Sequence, residues 1–340
     1  MARPLGGGGI APELGEARLG PARGGARRAA EAGEIDVRDA SPQARAAAVA
    51  RGTGSAPRHR LPQPEADERV APGALFVGTS GWDYAGGAWD ALYPAALPRR
   101  ERLVAYARSF ASVELNYSFY RLPRPSTYTA WAARTPESFR FALKLSRFVT
   151  HVKRLRGTKQ AFRHFVANAL ALGPKLGPIL VQLPPSFQAD PERLARFLEA
   201  ASDVARTLSV PALRLAIEPR HASWLASREV LALLRRHDAA LVAAQSRRYP
   251  CADPALRTAS FAYLRFHGPG RLFASRYGRE ALRPFARRIR AWLREGSDVF
   301  AYFNNDVEGH AVDDARTLAS LAAGAPHGRP ASGRRAAGAG

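Results

Sequence analysis

The sequence predicts an α/β protein: a single-domain (β/α)8 TIM barrel over residues 73–323, flanked by disordered tails at 1–72 and 324–340. Three observations predict it. Eight short apolar runs rich in β-branched and aromatic residues alternate with helix-period segments across about 250 residues, the count for this barrel. Each run is apolar through its body and turns polar at its C-terminal end, where such barrels carry their working residues. No glycine-rich phosphate loop follows the first run, which argues against an open doubly wound sheet.

The elements follow in order. LFVGTS (75–80) reads as the first strand, and Pro98 opens a helix carrying Leu103, Tyr106 and Phe110. SVELN (112–116) is the second strand, with a short helix over 128–133 behind it. RFALKLS (140–146) is the third, followed by a helix over 159–172. PILVQL (178–183) is the fourth, and the next helix, 191–208, has Pro191 in its first turn, where a missing N–H costs nothing. LRLAIEP (213–219) is the fifth, with a helix over 227–237. AALVAA (239–244) is the sixth, with only a short, ill-defined segment after it. FAYLRFHG (261–268) and DVFAYFNN (298–305) are the seventh and eighth, followed by helices over 279–294 and 311–322. The first 72 residues contain no aromatic side chain, so little apolar surface offsets the entropy of ordering them.

A hydrophobic fraction of 46% is ample for a buried core, yet no run approaches the ~18 apolar residues of a membrane span, so no membrane partner is expected. The N-terminus lacks the basic-then-apolar order of a secretory signal and is too acidic for a transit peptide. Cys251 is the only cysteine, which excludes an internal disulfide and a multi-thiolate metal site, and the expected location is cytoplasmic. The net charge is +22; residues 1–72 carry 11 arginines against 9 acids and residues 324–340 three arginines, so +17 falls on 73–323. Such a field favours phosphates or nucleic acid. A G·C-rich coding bias, with only four lysines in the chain, accounts for the same count.

The strand ends read Thr79-Ser80, Glu114 and Asn116, Lys144, Gln182, Glu218 and Arg220, Gln245, Arg265 and His267, and Asn304-Asn305-Asp306. Residues two apart share a face, so the Glu114/Asn116, Glu218/Arg220 and Arg265/His267 pairs each point one way. Charges at the ends of buried strands are expensive unless paired or lining a cavity. Two readings stay open: an ion-pair layer plugging the barrel, with Glu114 and Glu218 against Lys144 and Arg265, or a functional pocket. The loops add Trp82, Tyr84, Trp89 and Tyr93, then Tyr117, Phe119 and Tyr120, then Arg147, His151, Lys153, Arg154 and Arg156. Aromatics interleaved with guanidinium groups suit sugars, nucleobases or phosphates; the alternative is that they pack the loops down.

With these pieces assembled, the chain resembles the YecE-like family, also called domain of unknown function 72. GTSGWDY, WDALYP, FASVELNYSFYRLP, TPESFRFALKL, THVKRL, LGPILVQLPPSF, IEPRHASW, LRFHG and YFNND carry the resemblance in order, over about residues 75–320. It implies a TIM-barrel fold and a family with no assigned activity. Two departures stand out: Glu218-Pro219-Arg220 where the family usually reads Glu-Phe-Arg, and Gln245-Ser246 where it tends to carry Asp-Ser. The second removes a carboxylate from the mouth.

Three functional classes follow. The first is an enzyme acting on a small phosphorylated or otherwise anionic ligand, with phosphoester hydrolysis leading. Arg220, Arg265 and Lys144 would hold the anion, Glu218 or Glu114 act as general base, and His267 serve as general acid. Trp82, Tyr84, Asn116, Tyr120, His151, Gln182, His221, Asn304 and Asn305 would line the substrate site. A divalent metal would draw on Glu114, Glu218, His267 and Asp306, although no His-x-His or His-Glu-x-x-His spacing supports it; any other cofactor is unknown. The second class is a metal-free lyase or isomerase using Lys144 as a Schiff-base amine, whose neighbouring carboxylates are expected to oppose a lowered pKa. The third is a non-catalytic barrel binding nucleic acid or nucleotides, motivated by the charge and the aromatic loops.

Overall fold

The β-rich runs become parallel strands in the computed structural model, which describes residues 71–323 apart from 211, 212 and 255. The predicted tails, residues 71 and 72 aside, lie outside the described residues. The strands are β1 (Leu75–Thr79), β2 (Ser112–Leu115), β3 (Arg140–Lys144), β4 (Leu176–Gln182), β5 (Leu215–Glu218), β6 (Ala240–Leu241), β7 (Ala243–Gln245), β8 (Phe261–Phe266) and β9 (Asp298–Phe303). Among them run α1 (Arg102–Ala107), α2 (Tyr117–Tyr120), α3 (Pro125–Ala133), α4 (Lys159–Ala169), α5 (Pro191–Thr207), α6 (Ser223–Ala226), α7 (Arg228–Arg236), α8 (Gly278–Arg294) and α9 (His310–Ala323). Local chemistry sets several helix starts. Asp190 accepts from the Arg193 N–H ahead of α5, with Pro191 at its first position, and Ser227 accepts from the Val230 N–H ahead of α7.

Every ladder is parallel, so paired strands need crossovers; helices supply them except between β7 and β8, where no helix intervenes among the described residues. The ladders form a five-stranded sheet, β2-β3-β4-β5-β6, and a four-stranded sheet, β1-β9-β8-β7. The expected sixth strand is therefore two: Ala240–Leu241 pairs with β5, Ala243–Gln245 pairs with β8, and Val242 alone joins the sheets. Between β1 and β2, which share no ladder, a side-chain hydroxyl links the two strands. The Tyr106 hydroxyl accepts the Thr79 N–H at 2.8 Å and donates to the Ser112 carbonyl at 3.0 Å. Gly78 sits here because a Cβ at this position would lie 1.9 Å from the Ser112 carbonyl oxygen.

Side-chain alternation divides the core in two. Phe141 and Leu143, Leu264 and Phe266, and Val299, Ala301 and Phe303 join the large cluster shared with the helices. Their neighbours in sequence, Ala142, Tyr263, Phe300 and Tyr302, join Phe76, Leu180, Ala216, Ala240, Val242, Ala244 and Phe261 in a smaller one. That smaller cluster takes side chains from strands of both sheets. Strands buried on both faces are the parallel-sheet pattern, and this is why the runs read as near-continuous apolar stretches.

Candidate functional site

Beyond the smaller cluster, toward the C-terminal ends of the strands, the polar residues meet. Tyr263, Arg265 and His267 follow one another at strand period on β8 and its end. Arg265 is 1% exposed and reaches across to β2, donating Nε to Glu114 Oε2 at 2.9 Å and Nη2 to Oε1 at 2.7 Å. Its Nη1 donates to Glu218 Oε2 at 2.6 Å. Ser80 Oγ and the Tyr263 hydroxyl complete the shell of Glu114, at 2.7 and 2.8 Å. Arg220 donates Nε to Glu218 Oε1 at 2.9 Å and stacks on Tyr249, its guanidinium 4.1 Å from the ring centre. The Gln182 side-chain oxygen accepts from both arginines, at 3.2 and 3.3 Å.

This arrangement corrects three expectations. The ion-pair layer exists, but Arg220 stands where Lys144 was expected, and the lysine is left out of it. Neither carboxylate is a free general base. Burial alone would raise Glu114, yet Arg265 and the hydrogen bonds from Arg265, Ser80 and Tyr263 hold it below the usual carboxylate range. Arg220 and Arg265 likewise outweigh burial at Glu218 and hold it well below that range. His267, fully buried, has Nε2 3.5 Å from Glu218 and from both guanidinium groups; burial and then Arg265 lower its pKa to about 4, so at neutral pH it has no imidazolium proton to give as a general acid.

The metal set is corrected too. No three His, Cys, Asp or Glu side chains come together as metal ligands among the described residues, because the lone pairs of Glu114 and Glu218 are already turned onto guanidinium groups. Asp306 takes no part in that layer. One of its carboxyl oxygens is buried without a hydrogen-bond partner among the described residues, and burial together with Glu114 raises its pKa well above the usual range.

Lys144 is the exception among these strand-end residues. Its ammonium nitrogen lies 4.1 Å from the centre of the Phe119 ring, and no hydrogen bond or ion pair reaches it among the described residues. The carboxylates were expected to hold its pKa up. Burial instead lowers it to about 7, and the charge of Arg265, with that of Arg220, reinforces burial against Glu218 and Glu114. Among the charges, Arg265 outweighs Glu218 and Arg220 outweighs Glu114, so the field adds to burial instead of opposing it.

The remaining predicted residues divide. Asn304 meets His267 Nδ1 at 3.4 Å, and the Asn116 side-chain oxygen is buried without a partner among the described residues. His151 packs edge-on against Phe119, holds Thr150 Oγ1 at 2.9 Å, and is lowered to about 4 by burial and then by the charge of Lys144. Tyr120 is 60% exposed at the rim. Trp82, half-buried, packs edge-on against Trp131, and Tyr84 donates to the Ser80 carbonyl at 2.8 Å. Trp89 and Tyr93 are buried and pack their loop down, the second of the two readings of the loop aromatics.

Two candidates are tied to helix starts. Asn305 donates to the Ser275 carbonyl and to Asp314, the buried carboxylate that also accepts the Tyr277 and Gly278 N–H groups at the start of α8. His221 Nδ1 is tied to the hydroxyl and N–H of Ser223 at the start of α6. Sequence reading missed Tyr263 and Tyr249. Tyr263 had a signal, standing two residues before Arg265 on the same strand face. Tyr249 had none, lying in the irregular segment after β7.

Among the described residues no helix is long and apolar enough to cross a membrane. The family model described as "Protein of unknown function DUF72" matches residues 76–336. The UPF0759 protein YunF of Bacillus subtilis (strain 168) is 24% identical over 286 residues, 73% of this chain and 94% of YunF. The UPF0759 protein YecE of Escherichia coli (strain K12) is 34% identical over 85 residues, 25% of this chain and 31% of YecE. The crystal structure of a DUF72 family protein from Thermotoga maritima aligns at a TM-score of 0.61 and 26% identity, covering 72% of this chain and 98% of that one. A DUF72 family protein from Enterococcus faecalis aligns at 0.59 and 20% identity, a likeness of fold alone.

Proposed function

We propose that this chain, which belongs to the DUF72 family of proteins of unknown function, is an enzyme that acts on an anionic carbonyl compound through the amine of Lys144. The two sheets are read here as one eight-stranded barrel, β6 and β7 together making one of its staves, with the site at its C-terminal mouth. What supports the barrel is the smaller core cluster, drawn from strands of both sheets.

The observation that carries the reaction is the lysine without a hydrogen bond beside two carboxylates that already have theirs. An amine near neutrality is a nucleophile, and it adds to a carbonyl carbon to give an imine, releasing the oxygen as water. Burial first, and then the charges of Arg265 and Arg220, keep the amine from holding its proton, while the amides of Gln182, Asn116 and Asn304 stand ready to orient substrate hydroxyls. Phosphoester hydrolysis, the leading expectation from sequence, loses its general base because both carboxylates are bound to arginine.

Incubation with glyceraldehyde 3-phosphate and borohydride at pH 7, followed by peptide mass spectrometry, is expected to put a reduced adduct on Lys144 in preference to Lys153, Lys159 and Lys175. Labelling should climb as pH rises through about 7, where the amine loses its proton. Adducts spread evenly over the four lysines would sink the proposal.

Stability offers an independent check. The folded pKa of about 7 lies below the ordinary 10.5, so folding disfavours the ammonium form. Between those values the unfolded chain binds more protons, and the contribution of Lys144 to stability improves as pH rises from about 7 towards 10.5. Lys144→Met is therefore expected to raise the melting temperature at pH 6, with a gain that shrinks by pH 9, while abolishing the adduct. A melting temperature lowered at both pH values would mean that the lysine is a structural residue.

A further inference from the structure

Beside this mouth lies a second concentration of charge that the reaction does not use. An open cleft of about 670 Å³ is lined by Val152, Lys153, Arg154, Arg156, Gly157 and Arg193. Among the described residues no carboxylate pairs with Lys153, Arg154 or Arg156. Arg193 is held in place by Asp190 at 2.8 Å and by the Phe187 ring beneath it. Arg154 donates to Ser186 Oγ at 3.1 Å, which leaves most of its fork unused.

The loop is built, not slack. Leu155 is buried, its N–H donates to the Val149 carbonyl, and its own carbonyl accepts from Thr158 Oγ1. To achieve this, Arg154 and Leu155 both adopt left-handed backbone, φ 46° and 68°, with Gly157 at 60°. Two consecutive residues other than glycine in that region are costly and persist where the surroundings over-determine them, which points to a functional constraint. The loop begins just after β3, the strand that ends in Lys144, and His151 feels the charge of both Lys144 and Arg154. The far wall belongs to the segment after β4, whose last residue, Gln182, is in the mouth.

We infer that this cleft is a phosphate subsite, binding the phosphate monoester of the substrate whose carbonyl meets Lys144. Guanidinium forks match phosphate oxygens bidentately, and Lys153 adds a point charge. The inference rests on the Lys144 reading for the substrate's other end, but the subsite itself is testable alone.

The test compares borohydride labelling of Lys144 by glyceraldehyde and by glyceraldehyde 3-phosphate, with inorganic phosphate or a thymidine oligonucleotide as competitor. Phosphate binding is read in parallel by calorimetry. The expected result is labelling at least about tenfold more efficient with the phosphorylated aldehyde, competition by inorganic phosphate, and loss of both in an Arg154→Ala, Arg156→Ala double variant; tenfold corresponds to one charged contact of ordinary strength. Equal labelling by the two aldehydes with no phosphate heat overturns the subsite and leaves Lys144 standing. Phosphate heat that the double variant abolishes, without labelling at Lys144, keeps the subsite and overturns the amine chemistry. An oligonucleotide that competes far better than phosphate overturns the small-substrate assignment in favour of a nucleic-acid backbone.

Discussion

Replacing Arg265 by methionine is expected to cost roughly 3–5 kcal/mol of stability, the loss found when one partner of a buried ion pair is removed. Glu114 and Glu218 are both fully buried, and both lean on this guanidinium. For a domain of this size the loss corresponds to a fall of roughly 10 °C in melting temperature. The pH response should change as well. In the native protein both carboxylates have folded pKa values below the ordinary one, so their stabilisation is full above about 4.5 and is lost as pH falls through the folded values. Without Arg265, burial is the largest influence left on Glu114 and raises its pKa; the variant should then lose stability as pH rises toward neutrality. Adding Glu114→Gln should recover part of the loss, since a neutral amide needs no counter-charge. Urea unfolding of the single and double variants from pH 4 to 8 checks this, and a loss under about 1 kcal/mol would mean that water reaches the pair.

Gly78→Ala is expected to be worse than any ordinary glycine-to-alanine change in a strand. The added carbon would stand 1.9 Å from the Ser112 carbonyl oxygen, and that neighbour is backbone with no rotamer to move away. Relief requires β1 and β2 to separate, which also draws the Tyr106 hydroxyl off Thr79 or Ser112. Overpacking of a core typically costs about 1–3 kcal/mol, and a backbone-on-backbone contact lies at or beyond the upper end. Tyr106→Phe removes the hydroxyl without the clash and should cost less, about 1–3 kcal/mol for the buried groups left unsatisfied. Thermal unfolding of the two variants side by side checks the order; the reverse order would mean that the β1 and β2 link is held by the hydroxyl and has room to spare.

Much of this was legible in the sequence, and the reasons for the rest are physical. Strand positions were readable because apolar runs ending in polar residues survive any choice of partner. The division of 239–244 was not, since alternation is silent about which neighbouring strand a residue pairs with, and alanine and valine suit both. The members of the ion-pair layer were nameable from the strand ends, but the choice of Arg220 over Lys144 depends on side-chain reach across three strands. The lowered pKa of Lys144 comes first from its burial, which the strand pattern does not reveal, so it too was hidden. Asn305 and His221 share the chemistry of site residues, and only the positions of Asp314 and Ser223 reveal that they hold helix starts.

The chain has four lysines among 51 basic residues. Lys159 pairs with Asp203 and Lys175 with the carbonyls of Ala132 and Thr135, contacts that need only a donor. At position 144 an arginine would carry the same charge permanently, whereas lysine alone can surrender it. That scarcity makes the protein easy to interrogate by NMR. An isotope label confined to lysine yields four side-chain signals from the whole chain, and arginine at 153, 159 and 175 strips the spectrum to one line. That line would report proton loss at Lys144 directly, so the chain supplies its own spectroscopic probe.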